Sequence, residues 1–217
     1  MLKRLRTAHP ILYCILSEVL FLGSMVVFSL LATIVLAAAG ADFDTMDGYL
    51  FGSVQEAVGL AVALLLLTRT GRLDLLRRRG CGFLNGLLVG MYPLFFIGYT
   101  FFGTLAFGRP DTPLLPLPRI LTFLLNMILV GVAEELVFRG ALLRLLRPLG
   151  EHPANLCQAV LFAALHGTLT EKCYALGMGL IFGWAAEQTD SPAPGVVLHI
   201  LNNGLVLARA LAERGMG

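Results

Sequence analysis

Across residues 11–39 the chain carries one charged side chain, Glu18. A stretch of that length and polarity suits a membrane-spanning helix, which needs about 20 apolar residues. It is much longer than the roughly 7–15 apolar residues of a secretory signal peptide, so it reads as a retained first span. Further apolar stretches follow at residues 49–68, 82–107, 119–146, 153–167, 174–188 and 195–211. The period-two alternation of a membrane barrel is absent. The expected fold is all-α, a polytopic transmembrane helix bundle of about seven spans, with six to eight as the range. Composition agrees: 57% of the 217 residues are hydrophobic and 14% are charged, against about 25% charged in soluble domains.

Loop charge gives an orientation. Lys3, Arg4 and Arg6 precede the first span, and Arg69, Arg72, Arg77, Arg78 and Arg79 follow the second. The loop between those spans holds Asp42, Asp44 and Asp47 and no basic residue. Lys and Arg accumulate in cytoplasmic loops, which puts the amino terminus and the end of the fourth span in the cytoplasm. An odd number of spans would place the carboxyl terminus outside, and Arg209 and Arg214 argue against that. Pro110, Pro113, Pro116 and Pro118 form an extended connector and mark the boundary between residues 1–110 and a second region at 115–212. The net charge of +2 is too small to imply a nucleic-acid partner. Cys14, Cys81, Cys157 and Cys173 form no Cys-x-x-Cys pair, so neither a disulfide framework nor a zinc site is expected.

The polar residues inside the apolar stretches carry the functional signal. Glu134-Glu135-Leu136-Val137-Phe138-Arg139-Gly140 ends a run at 120–133 that only Thr122 and Asn126 interrupt. An ionisable residue in a spanning helix costs roughly 2.5–3.5 kcal/mol on insertion scales, so it marks a functional site with a partner to be found. Glu135 and Arg139 are four apart with the acid on the amino-terminal side, the favourable order for a helical pair. Adjacent helical residues point about 100° apart, so a paired Glu135 leaves Glu134 for a water or a substrate. Phe162 and His166 share one helix face, as do His199 and Asn203; Asn202 lies close to that face, and spacing alone does not choose between the asparagines. Counted along the helices, Glu134 and His166 lie at similar depth. His199 is level with them only if the connector before it dips into the protein.

One carboxylate, two imidazoles and an amide admit several chemistries. Glu134 suits a general base on water, with an imidazole and an amide stabilising the oxyanion. One Glu and two His also match the ligand types of a hydrolytic zinc centre, although the helical His-Glu-x-x-His spacing is absent. A polar network that only holds helices together is the structural alternative.

Glu134-Glu135-x-x-x-Arg139, Phe162-x-x-x-His166 and His199-x-x-x-Asn203, in this order, resemble the CAAX-protease and bacteriocin-processing family (Abi, CPBP) of intramembrane glutamate endopeptidases. The Gly179-Leu180-Ile181-Phe182-Gly183-Trp184 segment looks like that family's Gly-Leu-x-x-Gly-Trp element, and its two glycines suit close helix packing. The resemblance covers roughly residues 115–212. It implies a protease in which Glu134 and His166 activate water, His199 and Asn203 form the oxyanion site, and Glu135 and Arg139 support them. It further implies no metal or other cofactor, a peptide or membrane-protein substrate in the lipid bilayer, and a bacterial cell membrane location. A zinc-dependent protease and a non-enzymatic immunity or scaffolding protein are the alternatives it leaves. Thr189-Asp190-Ser191 and Pro194-Gly195-Val196-Val197 depart from the family's usual connector.

Overall fold

The computed structural model describes residues 8–43, 46–70 and 120–215. The amino-terminal basic residues, the basic loop from Arg72, the span expected at 82–107 and the Pro-rich connector with its boundary lie outside the described residues. Among the described residues every element is helical. Helices α1 (Pro10–Ala38) and α2 (Gly48–Thr70) come first. Helix α3 (Ile120–Glu135) runs on through a π-helical segment (Leu136–Leu142), one α turn (Leu143–Leu146) and a 3-10 turn (Arg147–Leu149). Gly150, at φ 100°, breaks the run with a backbone that glycine adopts readily. Helices α4 (Glu151–Ala164), α5 (Leu169–Thr189) and α6 (Ala193–Gly215) complete the molecule.

Three of these are long and apolar enough to cross a membrane: Pro10–Ala38, Gly48–Arg69 and Ile120–Leu149. The protein is thus an all-helical integral membrane protein, but the expected count of about seven spans is not reached among the described residues. Helix α4 is shorter than a simple crossing. Its 14 residues rise about 21 Å, short of a hydrocarbon core of about 30 Å. Helix α5 carries Glu171, Lys172 and Glu187.

Helix α2 packs along α3, α3 along α6, and α4 along α5. Asp47 caps the start of α2 by accepting from the Tyr49 and Leu50 N–H groups, and its second oxygen accepts from Thr122 Oγ1 at 2.8 Å. At the other end of α2, a Cβ on Gly140 would sit 3.0 Å from Leu67 Cδ2. Thr122 and Gly140 thus follow the same order as Asp47 and Leu67, so α2 and α3 run parallel. The expected glycine face is formed between α4 and α5: a Cβ on Gly179 would lie 2.9 Å from Ala159 Cβ, and one on Gly183 would collide with Asn155 and Gln158. Arg147 binds Glu187 at 2.7 Å, and Arg144 donates to the Ala186 carbonyl at 3.0 Å and pairs with Asp190. These contacts tie the end of the α3 run to the end of α5. Cys14, Cys157 and Cys173 are free thiols.

Candidate active site

The sequence reading treats residues 136–142 as ordinary α-helix; the structure makes them π-helical, with the Leu143 N–H bonding back to Phe138 O. All seven of these residues are buried. π turns recur at functional sites, and this one begins directly after Glu135. The segment is surrounded by protein, and Gly140 lets Leu67 of α2 approach its backbone closely.

The pair expected from the i, i+4 spacing is formed. Arg139 Nη1 donates to Glu135 Oε1 at 2.8 Å, and both side chains are fully buried. The rest of the guanidinium lies among the rings of Phe162, Phe182 and Phe138, with its carbon 4.5, 5.4 and 5.9 Å from their centroids. Aromatic faces attract a desolvated cation, which helps this one to stay buried. Arg139 Nη2 also reaches the Gly179 carbonyl at 3.4 Å, while Gln158 donates to the same carbonyl at 2.8 Å.

His199 joins the two carboxylates. Its Nδ1 lies 3.1 Å from Glu135 Oε1 and its Nε2 lies 3.8 Å from Glu134 Oε2. Glu135 is a hydrogen-bond acceptor here, so Nδ1 carries the proton and Nε2 is turned toward Glu134. The chain before His199 lies inward, as His199 requires: Ser191 and Pro192 of the connector and Pro194 and Gly195 of the first turn of α6 are all buried. Gly195 faces Glu135 Oε2 so closely that a side chain there would collide with it. Glu134 keeps 19% of its side chain exposed, whereas Glu135 keeps none. The adjacent glutamates therefore face different surroundings, one held by Arg139 and His199 and the other partly open.

His166 is not on a helix, as the sequence reading had it. Helix α4 stops at Ala164, and His166 lies just past the cap in the turn to α5. Its Nδ1 is 3.2 Å from the Phe162 carbonyl. A carbonyl only accepts, so this nitrogen donates and the neutral ring presents its lone pair at Nε2. His166 stacks edge-on against Phe162, as does His199, with centroids 5.1 and 6.0 Å apart. Both histidines lie within electrostatic range of Glu134. The turn after His166 ends in a capping box, in which Thr168 N–H donates to Glu171 and Glu171 N–H donates to Thr168 Oγ1. That backbone bond holds the Glu171 carboxyl below its usual range.

Asn203 Nδ2 donates to the Met127 carbonyl of α3 at 3.1 Å, and its Oδ1 accepts from Asn202 Nδ2 at 3.2 Å. Tyr174 of α5 donates to Asn202 Oδ1. Neither Gly195 nor Tyr174 stands out in the sequence as part of this site. Glu56 of α2 lies within electrostatic range of Glu134. Among the described residues, no three His, Cys, Asp or Glu side chains form a group able to hold a metal.

No curated protein and no solved structure matches the chain. Residues 116–205, which hold every side chain of this site except Glu56, match the family model described as Type II CAAX prenyl endopeptidase Rce1-like, the family that the sequence motifs resemble.

Proposed function

We propose that residues 115–212 form an intramembrane endopeptidase that hydrolyses a peptide bond near the cytoplasmic membrane face. The Rce1-like match supports a membrane protease acting on a peptide substrate in the bilayer. The observation that carries the finer reading is the placing of His199 between a fully buried, arginine-paired Glu135 and a partly open Glu134. Glu134 takes a proton from water while the water oxygen bonds to the scissile carbonyl carbon. His166 Nε2 accepts the second water hydrogen bond and orients the attack. The developing oxyanion is met by an N–H of Asn203 and by His199, which donates from Nε2 in its doubly protonated form while Nδ1–H stays on Glu135. The carbon–nitrogen bond then breaks, and Glu134 returns its proton to the leaving amine. Glu135 and Arg139 hold His199 and touch no substrate. In this scheme the reaction draws on no metal.

The side of cleavage rests on charge. Arg69 at the end of α2 and Arg147 at the end of the α3 run lie toward the same end of the parallel pair, which matches a cytoplasmic face. The test is cleavage of a fluorophore–quencher peptide by the purified protein. Glu134→Gln and His166→Ala are each expected to lose at least about a hundredfold in kcat, and strong chelators to change nothing. Full activity in either variant overturns the assignment. Loss of activity to chelators favours the zinc-dependent version. A biological effect that persists in Glu134→Gln identifies an immunity or scaffolding role instead.

A further inference from the structure

We propose that Tyr174 and Asn202 are positioning residues for Asn203, forming a relay that fixes which end of the Asn203 amide faces the scissile carbonyl. The inference rests on the oxyanion role given to Asn203 above, and it adds two residues to which no role in that reaction has been given.

The argument starts at the Met127 carbonyl. A backbone carbonyl can only accept, so the Asn203 atom facing it at 3.1 Å is Nδ2. Asn203 Oδ1 is then the atom 3.2 Å from Asn202, and an amide oxygen also only accepts, so Asn202 presents Nδ2. That turns Asn202 Oδ1 toward the Tyr174 hydroxyl, which donates to it. The orientation of both amides follows from one end of the chain and is closed at the other. The Met127 carbonyl holds Asn203 through Nδ2 and the bond from Asn202 holds it through Oδ1. With the second restraint gone the amide turns over more easily and presents oxygen where the oxyanion forms, and an acceptor there repels the developing charge.

The relay also accounts for the adjacent asparagines, which helical spacing alone leaves equivalent. Asn203 reaches α3, on which Glu134 stands, whereas Asn202 reaches α5. Tyr174 is held in register by the capping box at the start of its helix, six residues after Thr168. The turn that carries His166 therefore also sets the far end of the relay. Donor–acceptor pairs in series polarise one another, so the relay orients Asn203 more firmly than a single bond would.

The experiment measures kcat and KM separately on a fluorogenic peptide that the wild-type protein cleaves, together with the thermal midpoint of each variant in detergent. Tyr174→Phe keeps the ring and removes the donor; kcat is expected to fall about tenfold with KM within about twofold. Asn202→Asp puts an acceptor against Asn203 Oδ1 and forces an acceptor–acceptor contact whichever way Asn203 turns. Its kcat is expected to fall about a hundredfold, approaching that of Asn203→Ala. Normal kcat in folded Tyr174→Phe overturns the relay, even where its melting temperature drops, because a purely structural clamp changes stability alone. If Asn202→Asp does not fold, the near-isosteric Tyr174→Phe decides. Glu134→Gln, run alongside, reports on the base: its full activity defeats the role given to Glu134, while the relay is still judged by whether Tyr174→Phe moves kcat.

Discussion

Helix α1 and the π segment after α3 are both apolar in sequence, yet they are buried in opposite ways. Helix α1 turns one narrow stripe inward, Cys14, the adjacent Ser17 and Glu18, Phe21 and Met25, at helical spacing. Its other faces expose Val19, Val26, Leu30 and Val35 at 60–66%. The π segment hides seven consecutive residues, Arg139 among them. In a soluble protein an apolar face points to the core. In a membrane it points to lipid as readily, so hydrophobicity stops distinguishing inside from outside. The small and polar positions of α1 mark its protein contacts. In the π segment, an arginine that has left water marks the centre of the bundle.

This contrast can be attacked by mutation. The largest effect is expected at Arg139. Arg139→Met leaves Glu135 buried without its cation, a loss of about 3–5 kcal/mol. Adding Glu135→Leu should restore much of the stability while leaving His199 without its carboxylate. On α1, Leu30→Ala should stay within about 0.5 kcal/mol. Denaturation in detergent compares the two, and equal losses at Arg139 and Leu30 would erase the distinction. An intermediate effect is expected at Gly195, where α6 passes Glu135 with no room for a methyl group. Gly195→Ala should cost about 1–3 kcal/mol by overpacking and should lower kcat by displacing Glu135 from His199. Unchanged stability together with unchanged kcat would show that the contact yields freely.

The smallest effect is one of pH, at the exposed end of α5. The Glu171 carboxyl lies below its usual range because the Thr168 N–H donates to it. A lowered folded value means stability present above the unfolded value of about 4.3 and lost as pH falls through the folded one. The melting temperature of wild type should exceed that of Glu171→Gln at pH 6, with the gap closing toward pH 3. Solvent screening keeps the gap small at this exposed site. A gap that is constant from pH 6 to pH 3 would rule out the charge as its source.

Much of the candidate site was legible because ionisable groups are conspicuous in apolar runs. Glu135 and Arg139 could be paired by spacing, and their contact is present. His199 reaches the glutamates only if the chain before it runs inward, and the buried Ser191 and Pro192 meet that condition. The π segment was not legible, because leucine, valine and phenylalanine serve α and π turns alike. Nor was the relay, because Tyr174 finds Asn202 only through the register of α5 on α6. The Thr168-x-x-Glu171 signature that starts α5 is present in the sequence; it marks a helix end but not the neighbouring helix. Three helices among the described residues are long and apolar enough to cross a membrane; apolar content alone does not separate such a helix from one such as α4, which packs as a short element against α5.

The π segment also sets an azimuth. A π turn holds an additional residue relative to the α-helix around it, and each residue turns an α-helix by about 100°. Everything beyond Leu142 is therefore rotated relative to the helix that carries Glu134. Arg144 and Arg147 meet Ala186, Glu187 and Asp190 on the rotated side. The helix thus has two headings, one aiming its carboxylates at the histidines and the other aiming its arginines at the closing end of α5, and the change of course falls between them.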